Sequence, residues 1–113
     1  MKVQADKMVA AADEASALLK ALAHRHRLMI ACQLIQQERS VGELAAMLGV
    51  RDSTISQHLA LLRKDGLVEA RREGQTIWYS ISNLPARETV QTLYRIYCGA
   101  SAQRQPKQRS RNR

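Results

Sequence analysis

Residues 40–66, SVGELAAMLGVRDSTISQHLALLRKDG, decide the fold of this 113-residue chain. Ser40 and Glu43 have the spacing of a capping box, and Gly49 supplies a left-handed stop, so a short helix is predicted between them. After the turn, Asp52 is predicted to cap a second helix that ends before Gly66. The segment therefore predicts two short helices joined by a tight turn that contains glycine.

The second of these helices has two contrasting faces at helical spacing. Its apolar face is predicted to be buried and consists of Ile55, Leu59 and Leu62. Its outer face is mostly polar and consists of Ser53, Ser56, Gln57, Ala60 and Lys64. A helix fits the major groove of DNA, and the side chain of Gln57 has the fork that pairs with adenine. Small hydroxyl side chains in the same turn, those of Ser53, Thr54 and Ser56, can bond bases or phosphates.

The hydrophobic period changes after Gly66. Residues 67–72 (LVEARR) and 75–81 (QTIWYSI) are β-type runs around Glu73-Gly74, which predicts a hairpin. Arg71 and Arg72 flank its turn, as a wing that reaches the DNA backbone or minor groove requires. Taken singly, these features also fit a solvated helix and an ordinary surface hairpin. Their order and spacing favour a winged helix-turn-helix that binds DNA.

Helical patterns surround this central part of the chain. One helix is predicted from about Asp6 to Leu22, another from about His24 to Gln37, and a last one from Ser82 or Asn83 to Gly99. The expected architecture is mainly α with a small β-hairpin, in the order α-α-α-α-β-β-α. Residues 1–100 are predicted to form one domain, and residues 101–113 a disordered basic tail. Such a tail either adds affinity for phosphates or is a solvated terminus without a role.

The composition excludes several classes of protein. Lys and Arg number 18 against 10 Asp and Glu, a net charge of +8, but residues 1–100 carry only +3 of it. A net positive charge is typical of proteins that bind a polyanion. Because most of this charge lies in the last 13 residues, it does not by itself establish such a partner. Acidic residues stand where a secretory signal would be apolar, and no apolar run is long enough for a membrane span, so a cytoplasmic protein is expected. The sequence has no glycine-rich phosphate loop, nucleophile elbow or paired-carboxylate motif, so neither an enzyme nor a cofactor is expected.

Residues 40–81 resemble the DNA-binding core of the ArsR/SmtB winged-helix repressors, and the resemblance extends over roughly residues 15–99. The most recurrent positions of that family are matched by residues 56–59, 62–63, 65–68 and 71–72. The resemblance implies a homodimeric bacterial repressor that releases a palindromic operator when an inducer binds or reacts. It also implies a dimer interface formed by the first and last helices. The predicted DNA-contacting residues are Ser53, Thr54, Ser56, Gln57, His58, Arg63, Arg71, Arg72 and Gln75.

The metal sites of the family are not matched. At the arsenic-type position this chain has Ser40-Val41-Gly42, without a thiolate, and between residues 84 and 99 it has neither the His nor the Asp of the zinc-type site. His24 and His26 are two positions apart, so a helix would point them to different sides, and His58 belongs to the predicted DNA-contacting helix. No metal site is therefore predicted.

Two cysteines remain, Cys32 and Cys98. Their placement on the second and last helices resembles the thiol-sensing branch of the family, the biofilm-growth and sulfide-responsive repressors. The resemblance implies that persulfides or oxidants link the two thiols through a disulfide or polysulfide bridge, which releases the DNA. Two alternatives stay open. The cysteines can be small buried hydrophobes in a constitutive DNA-binding protein, or they can serve a metal-responsive repressor.

Overall fold

A computed structural model describes residues 2–99, with side chains from Ala5 onward. The predicted tail, residues 101–113, lies outside the described residues. The elements are α1 (Lys2–Leu22), α2 (Arg25–Leu34), β1 (Arg39–Ser40), α3 (Val41–Leu48), α4 (Asp52–Lys64), β2 (Val68–Glu73), β3 (Thr76–Ile81) and α5 (Leu84–Cys98). None of the helices in this part of the chain combines the length and apolarity that a membrane crossing needs.

Helix α3 begins and ends as its sequence predicts. The Ser40 hydroxyl accepts from the Glu43 backbone N–H, and the Glu43 carboxylate accepts from the Ser40 backbone N–H, both at 3.2 Å. Gly49 ends the helix with a φ of 66°, in the left-handed region where a side chain is strained. The capping box and the glycine stop are confirmed.

The start of α4 differs from the prediction. Arg51, in extended backbone, is the N-cap residue and makes no side-chain cap bond, while Asp52 is already in the first helical turn. The prediction that Asp52 caps the helix is therefore wrong by one position. A carboxylate in the first turn still stabilises the helix, because it faces the positive end of the helix dipole.

The hairpin belongs to a three-stranded antiparallel sheet with strand order β1-β3-β2. Glu73 pairs with Thr76 across the turn, and Gly74 there has a φ of 63°. Strand β1 adds only two pairs, Arg39 with Tyr79 and Ser40 with Trp78. The edge strand is not part of the prediction, since two residues are too few to show an alternating pattern.

All five helices of the described chain contribute to the core. Its most deeply buried side chains come from α2 to α5 and are Ile30, Leu34, Leu44, Ile55, Leu59, Leu62 and Val90. From α1, only its C-terminal Ala21 and Leu22 are buried. Helix α4 is thus fixed through one face, and its other face is left to solvent.

Arg87 connects α5 to the rest of the core. Its guanidinium donates to the Ile35 carbonyl at the end of α2, at 3.2 Å, and to the Ile81 carbonyl at the end of β3, at 3.3 Å. Asn83 caps α5 by accepting from the Ala86 backbone N–H at 2.8 Å. These bonds fix the start of α5 relative to α2 and the hairpin.

Candidate nucleic-acid interface

Helix α4 exposes the polar face that its sequence predicts. The side chains of Ser53, Ser56 and Gln57 are exposed, and Thr54 is partly covered. The face opposite them is completely buried against α2 and α3. Because the buried face holds the helix, small donors and acceptors point outward from its first turn and a half. A groove-binding helix needs this arrangement.

Basic and polar side chains extend this surface at both ends. Arg63 is exposed in the last turn of α4, where its charge also favours the negative end of the helix dipole. Arg72 and Gln75 are exposed on either side of the hairpin turn, and Arg72 makes no ion pair with another described residue. All three predicted contact residues are therefore accessible to a phosphate backbone.

Arg71 is held differently from Arg72. Its Nη2 and Nε donate to the two carboxylate oxygens of Glu38, at 2.7 and 3.1 Å, and its Nη1 donates to Glu73 at 3.0 Å. These hydrogen bonds raise the pKa of Arg71, and the bond from Arg71 lowers the pKa of Glu38. The guanidinium that the sequence assigns to DNA is thus already engaged by two carboxylates. Glu38 is absent from the sequence-based site, because a partner 33 residues away leaves no local pattern.

The three histidines lie together, which contradicts the expectation that helical geometry separates them. Their ring centroids are 4.5 Å apart for His24 and His58, 5.6 Å for His24 and His26, and 5.7 Å for His26 and His58. His24 is not helical: it is the N-cap of α2, in extended backbone, and its Nδ1 accepts from the His26 backbone N–H at 3.1 Å. The expectation is wrong because it applied a helical rotation across a helix start.

His58 stands apart from the other predicted DNA-contacting residues. It is partly buried beside His24 and His26, and its Nδ1 is buried without a hydrogen-bond partner in the described part of the chain. Burial, followed by the charges of His24, Arg27 and His26, lowers the pKa of His58 and so favours the neutral ring. The side chain faces the start of α2, whereas its neighbour Gln57 is exposed.

Cys32 and Cys98 occupy two helices that contact each other, α2 and α5. Cys32 is half-buried against the core, and Cys98 is exposed as the last residue of α5; both are free thiols. Burial raises the pKa of the Cys32 thiol, and the charge of Cys98 raises it further. Cys32 therefore has less thiolate than an ordinary thiol at the same pH.

Two helices expose apolar side chains that the core does not use. On α5, Tyr97 is 72% exposed, and on α1, Met8 is 70% exposed. The same helices also expose Val9, Leu19, Leu84, Tyr94 and Ile96. Side chains of α1 and α5 line an open cleft of about 670 Å³ between the helices. The first and last helices therefore carry apolar surface that the core does not cover.

Comparison with known proteins agrees with this architecture. Residues 24–70 match the family described as "Bacterial regulatory protein, arsR family". The transcriptional activator HlyU of Vibrio cholerae is 47% identical over 88 residues, 78% of this chain and 82% of the relative. The biofilm growth-associated repressor of Agrobacterium fabrum is 48% identical over 87 residues, 77% of this chain and 74% of the relative.

Solved structures give the same result. The reduced form of Vibrio cholerae HlyU superposes with a TM-score of 0.79 at 44% identity, covering 81% of this chain and 97% of that chain. A homodimeric winged helix-turn-helix DNA-binding domain from Mycobacterium bovis has a TM-score of 0.70 at 32% identity, covering 92% and 95%. These relatives are regulators and not enzymes, as the sequence predicts. The chain therefore belongs to the ArsR family of bacterial winged helix-turn-helix transcriptional regulators.

Proposed function

We propose that this protein is a homodimeric transcriptional repressor that holds a palindromic operator until its two cysteines become bridged by sulfur. The observation that carries the DNA-binding part is the exposed polar face of α4 beside an accessible Arg72. Gln57 would read base edges, and Ser53, Thr54 and Ser56 would contact bases or phosphates. The DNA backbone on either side would be contacted by Arg63, Arg72 and Gln75. We expect the protein to act in the cytoplasm.

The apolar faces of α1 and α5 support the homodimer. Exposed Met, Val, Leu, Ile and Tyr side chains on two neighbouring helices are typical of an interface between copies of a chain. The Mycobacterium bovis relative is homodimeric. A two-fold axis through these helices would present two α4 helices to successive major grooves, about 34–36 Å apart.

The positions of the cysteines support a thiol switch in which Cys98 reacts first. Cys98 is exposed, so a dissolved sulfur species reaches it, whereas burial keeps Cys32 protonated. With hydrogen trisulfide as inducer, the Cys98 thiolate attacks the central sulfur atom, and a hydrosulfide ion leaves. The product carries two additional sulfur atoms on Cys98.

Cys32 would complete the bridge in the second step. The Cys32 thiolate attacks the added sulfur atom next to Cys98 Sγ, and the terminal sulfur leaves as a second hydrosulfide ion. The result is a trisulfide between α2 and α5. A plain disulfide would require the two Cα atoms to come within about 7 Å, a limit that an extra sulfur atom relaxes.

The bridge would act on DNA binding through packing. Helix α2 contacts both α5 and α4, so a covalent tie between α2 and α5 joins the proposed dimer interface to the support of the DNA-contacting helix. To switch operator binding off, the bridge must disfavour the bound form by about 3 to 5 kcal/mol. This is within the range of a local covalent change acting on two alternative arrangements.

The test compares wild type with Cys98→Ser in an operator-binding assay and by intact mass. The reduced forms of both should bind an operator duplex equally. Hydrogen trisulfide should release only the wild type, with a mass gain of one sulfur atom and loss of two thiol hydrogens per bridge. A Cys98→Ser protein that still releases DNA would refute the switch. A bridged wild type that stays bound would instead identify a constitutive DNA-binding protein.

A further inference from the structure

We propose that His24, His26 and His58 form a binding site for a late first-row divalent cation, of which Zn²⁺ is the representative. One ligand nitrogen from each ring lies within 4.8 Å of the other two. The site joins the turn between α1 and α2 to the DNA-contacting helix α4. Its three ligands do not include either cysteine.

The geometry requires only a small contraction. Tetrahedral Zn²⁺ with bonds of about 2.0–2.1 Å to imidazole places its ligand nitrogens about 3.3 Å apart. The three rings therefore have to approach one another by up to about 1.5 Å, within reach of side-chain rotation. His24 is exposed, so the fourth position is open to water on that side. Three imidazoles and a water molecule are a ligand set that zinc sites use.

The buried Nδ1 of His58 points to a missing partner. It is shielded from solvent and makes no hydrogen bond in the described part of the chain. A buried polar atom without a partner costs free energy, and an ion or an ordered water is a common reason for one. Imidazole nitrogens suit zinc, copper and nickel, whereas magnesium and calcium prefer oxygen ligands. The cluster therefore selects a transition metal.

Metal binding would compete with a helix cap. The Nδ1 of His24 accepts from the His26 backbone N–H, so in the neutral ring the proton is on Nε2. A metal on Nδ1 displaces this bond directly. A metal on Nε2 moves the ring proton to Nδ1, which then no longer accepts. In both cases the His24 cap of α2 is lost when the cation binds. The positive charge of nearby Arg27 also opposes binding of the cation.

The experiment is a zinc titration of the full-length reduced protein without DNA, in competition with a chromophoric chelator. One Zn²⁺ per chain is expected. His24→Asn should weaken binding at least about tenfold. This variant removes the imidazole and keeps a side chain that caps helices well, so it preserves the start of α2. His26→Gln should weaken binding similarly, and the double variant Cys32→Ser/Cys98→Ser should bind Zn²⁺ as wild type does.

Imidazole signals in long-range ¹H–¹⁵N spectra provide a second readout. On adding one equivalent of Zn²⁺, the signals of all three histidines should shift together in the wild type and in the double cysteine variant. The proposal is overturned if His24→Asn and His26→Gln bind Zn²⁺ as tightly as wild type. It is also overturned if only the cysteine variant loses the metal. Because no DNA is present, neither result depends on the proposed repressor function.

Discussion

Glu38 and Arg71 form a two-bond ion pair that ties the hairpin wing to the segment before β1, with Nη2 2.7 Å and Nε 3.1 Å from the two carboxylate oxygens. The pair joins the residue before β1 to the middle of β2, across 33 positions of sequence. Arg71, a cation of the proposed DNA-binding surface, is therefore held in an ion pair by the carboxylate of Glu38.

Glu38→Gln should therefore increase the affinity for duplex DNA and steepen its dependence on salt. The amide no longer holds the guanidinium as an ion pair, so only Glu73 still competes with a phosphate for Arg71. Fluorescence anisotropy at several salt concentrations measures both quantities. Glu69→Gln is the matched control, since Glu69 is an exposed carboxylate of the same strand that makes no bond to Arg71. Equal gains in the two variants would show that only net charge matters.

Gln57→Ala should cost about 1–3 kcal/mol of operator affinity and relax the base preference at one position of each half-site. Arg72→Ala should instead weaken binding to all sequences and reduce the salt slope by about one. Operator and scrambled duplexes titrated in parallel separate the two effects. Gln36→Ala serves as the control, since Gln36 is an exposed glutamine in the turn after α2. Loss of affinity from Gln36→Ala as large as that from Gln57→Ala would contradict the assigned surface.

Leu59→Ala should lower the free energy of unfolding by about 2–5 kcal/mol, because Leu59 has no exposed surface and leaves a cavity. Leu61→Ala, two positions along the same helix, should lower the free energy of unfolding by much less, since Leu61 is 46% exposed. Urea unfolding followed by circular dichroism compares the two directly. Similar losses would mean that α4 is not buried through the Ile55, Leu59 and Leu62 face.

The alkylation of Cys32 should have its pH midpoint above the range of an ordinary thiol. Its pKa is raised, so less thiolate is present at any given pH, and the rate continues to rise at pH values where an unperturbed thiol has levelled off. Peptide mass spectrometry after brief iodoacetamide treatment should find Cys98 labelled first at pH 8. In Cys98→Ser, the midpoint of Cys32 should move down, because one of the two causes is removed. An unchanged midpoint would indicate that the two thiols do not interact.

Met8→Asp should shift the protein toward monomers, while Met47→Asp should not. Both methionines are exposed, but Met8 is on α1, within the proposed interface, and Met47 is on α3. A charge buried in an apolar interface without a partner is strongly unfavourable. Sedimentation equilibrium gives the association constant of each variant. A wild type that is monomeric at micromolar concentration would refute the interface itself.

Local signals account for the parts of the fold that the sequence predicts. The capping box of Ser40 and Glu43, the stop at Gly49 and the period of Ile55, Leu59 and Leu62 each act within a few residues. They place α3, α4 and the hairpin, and with them the exposed polar face. The existence of each helix follows in the same way, but the ends differ: α1 begins at Lys2 and not near Asp6, and α2 ends at Leu34 and not near Gln37.

The features that depend on long-range contacts could not be predicted. Strand β1 exists only because Arg39 and Ser40 pair with β3, and the Glu38–Arg71 pair only because β1 lies beside the hairpin. The histidine cluster requires both the extended backbone at His24 and the packing of α4 against α2. None of these leaves a periodic pattern in the sequence.

The central claim is that the exposed face of α4 and the wing bind duplex DNA. It is tested most directly by amide chemical shifts of the ¹⁵N-labelled, reduced protein as a duplex is added at low salt. The account predicts that the largest changes map to residues 53–57 and 72–75, with little change on α1. No change at all, or changes concentrated outside α4 and the wing, would contradict it.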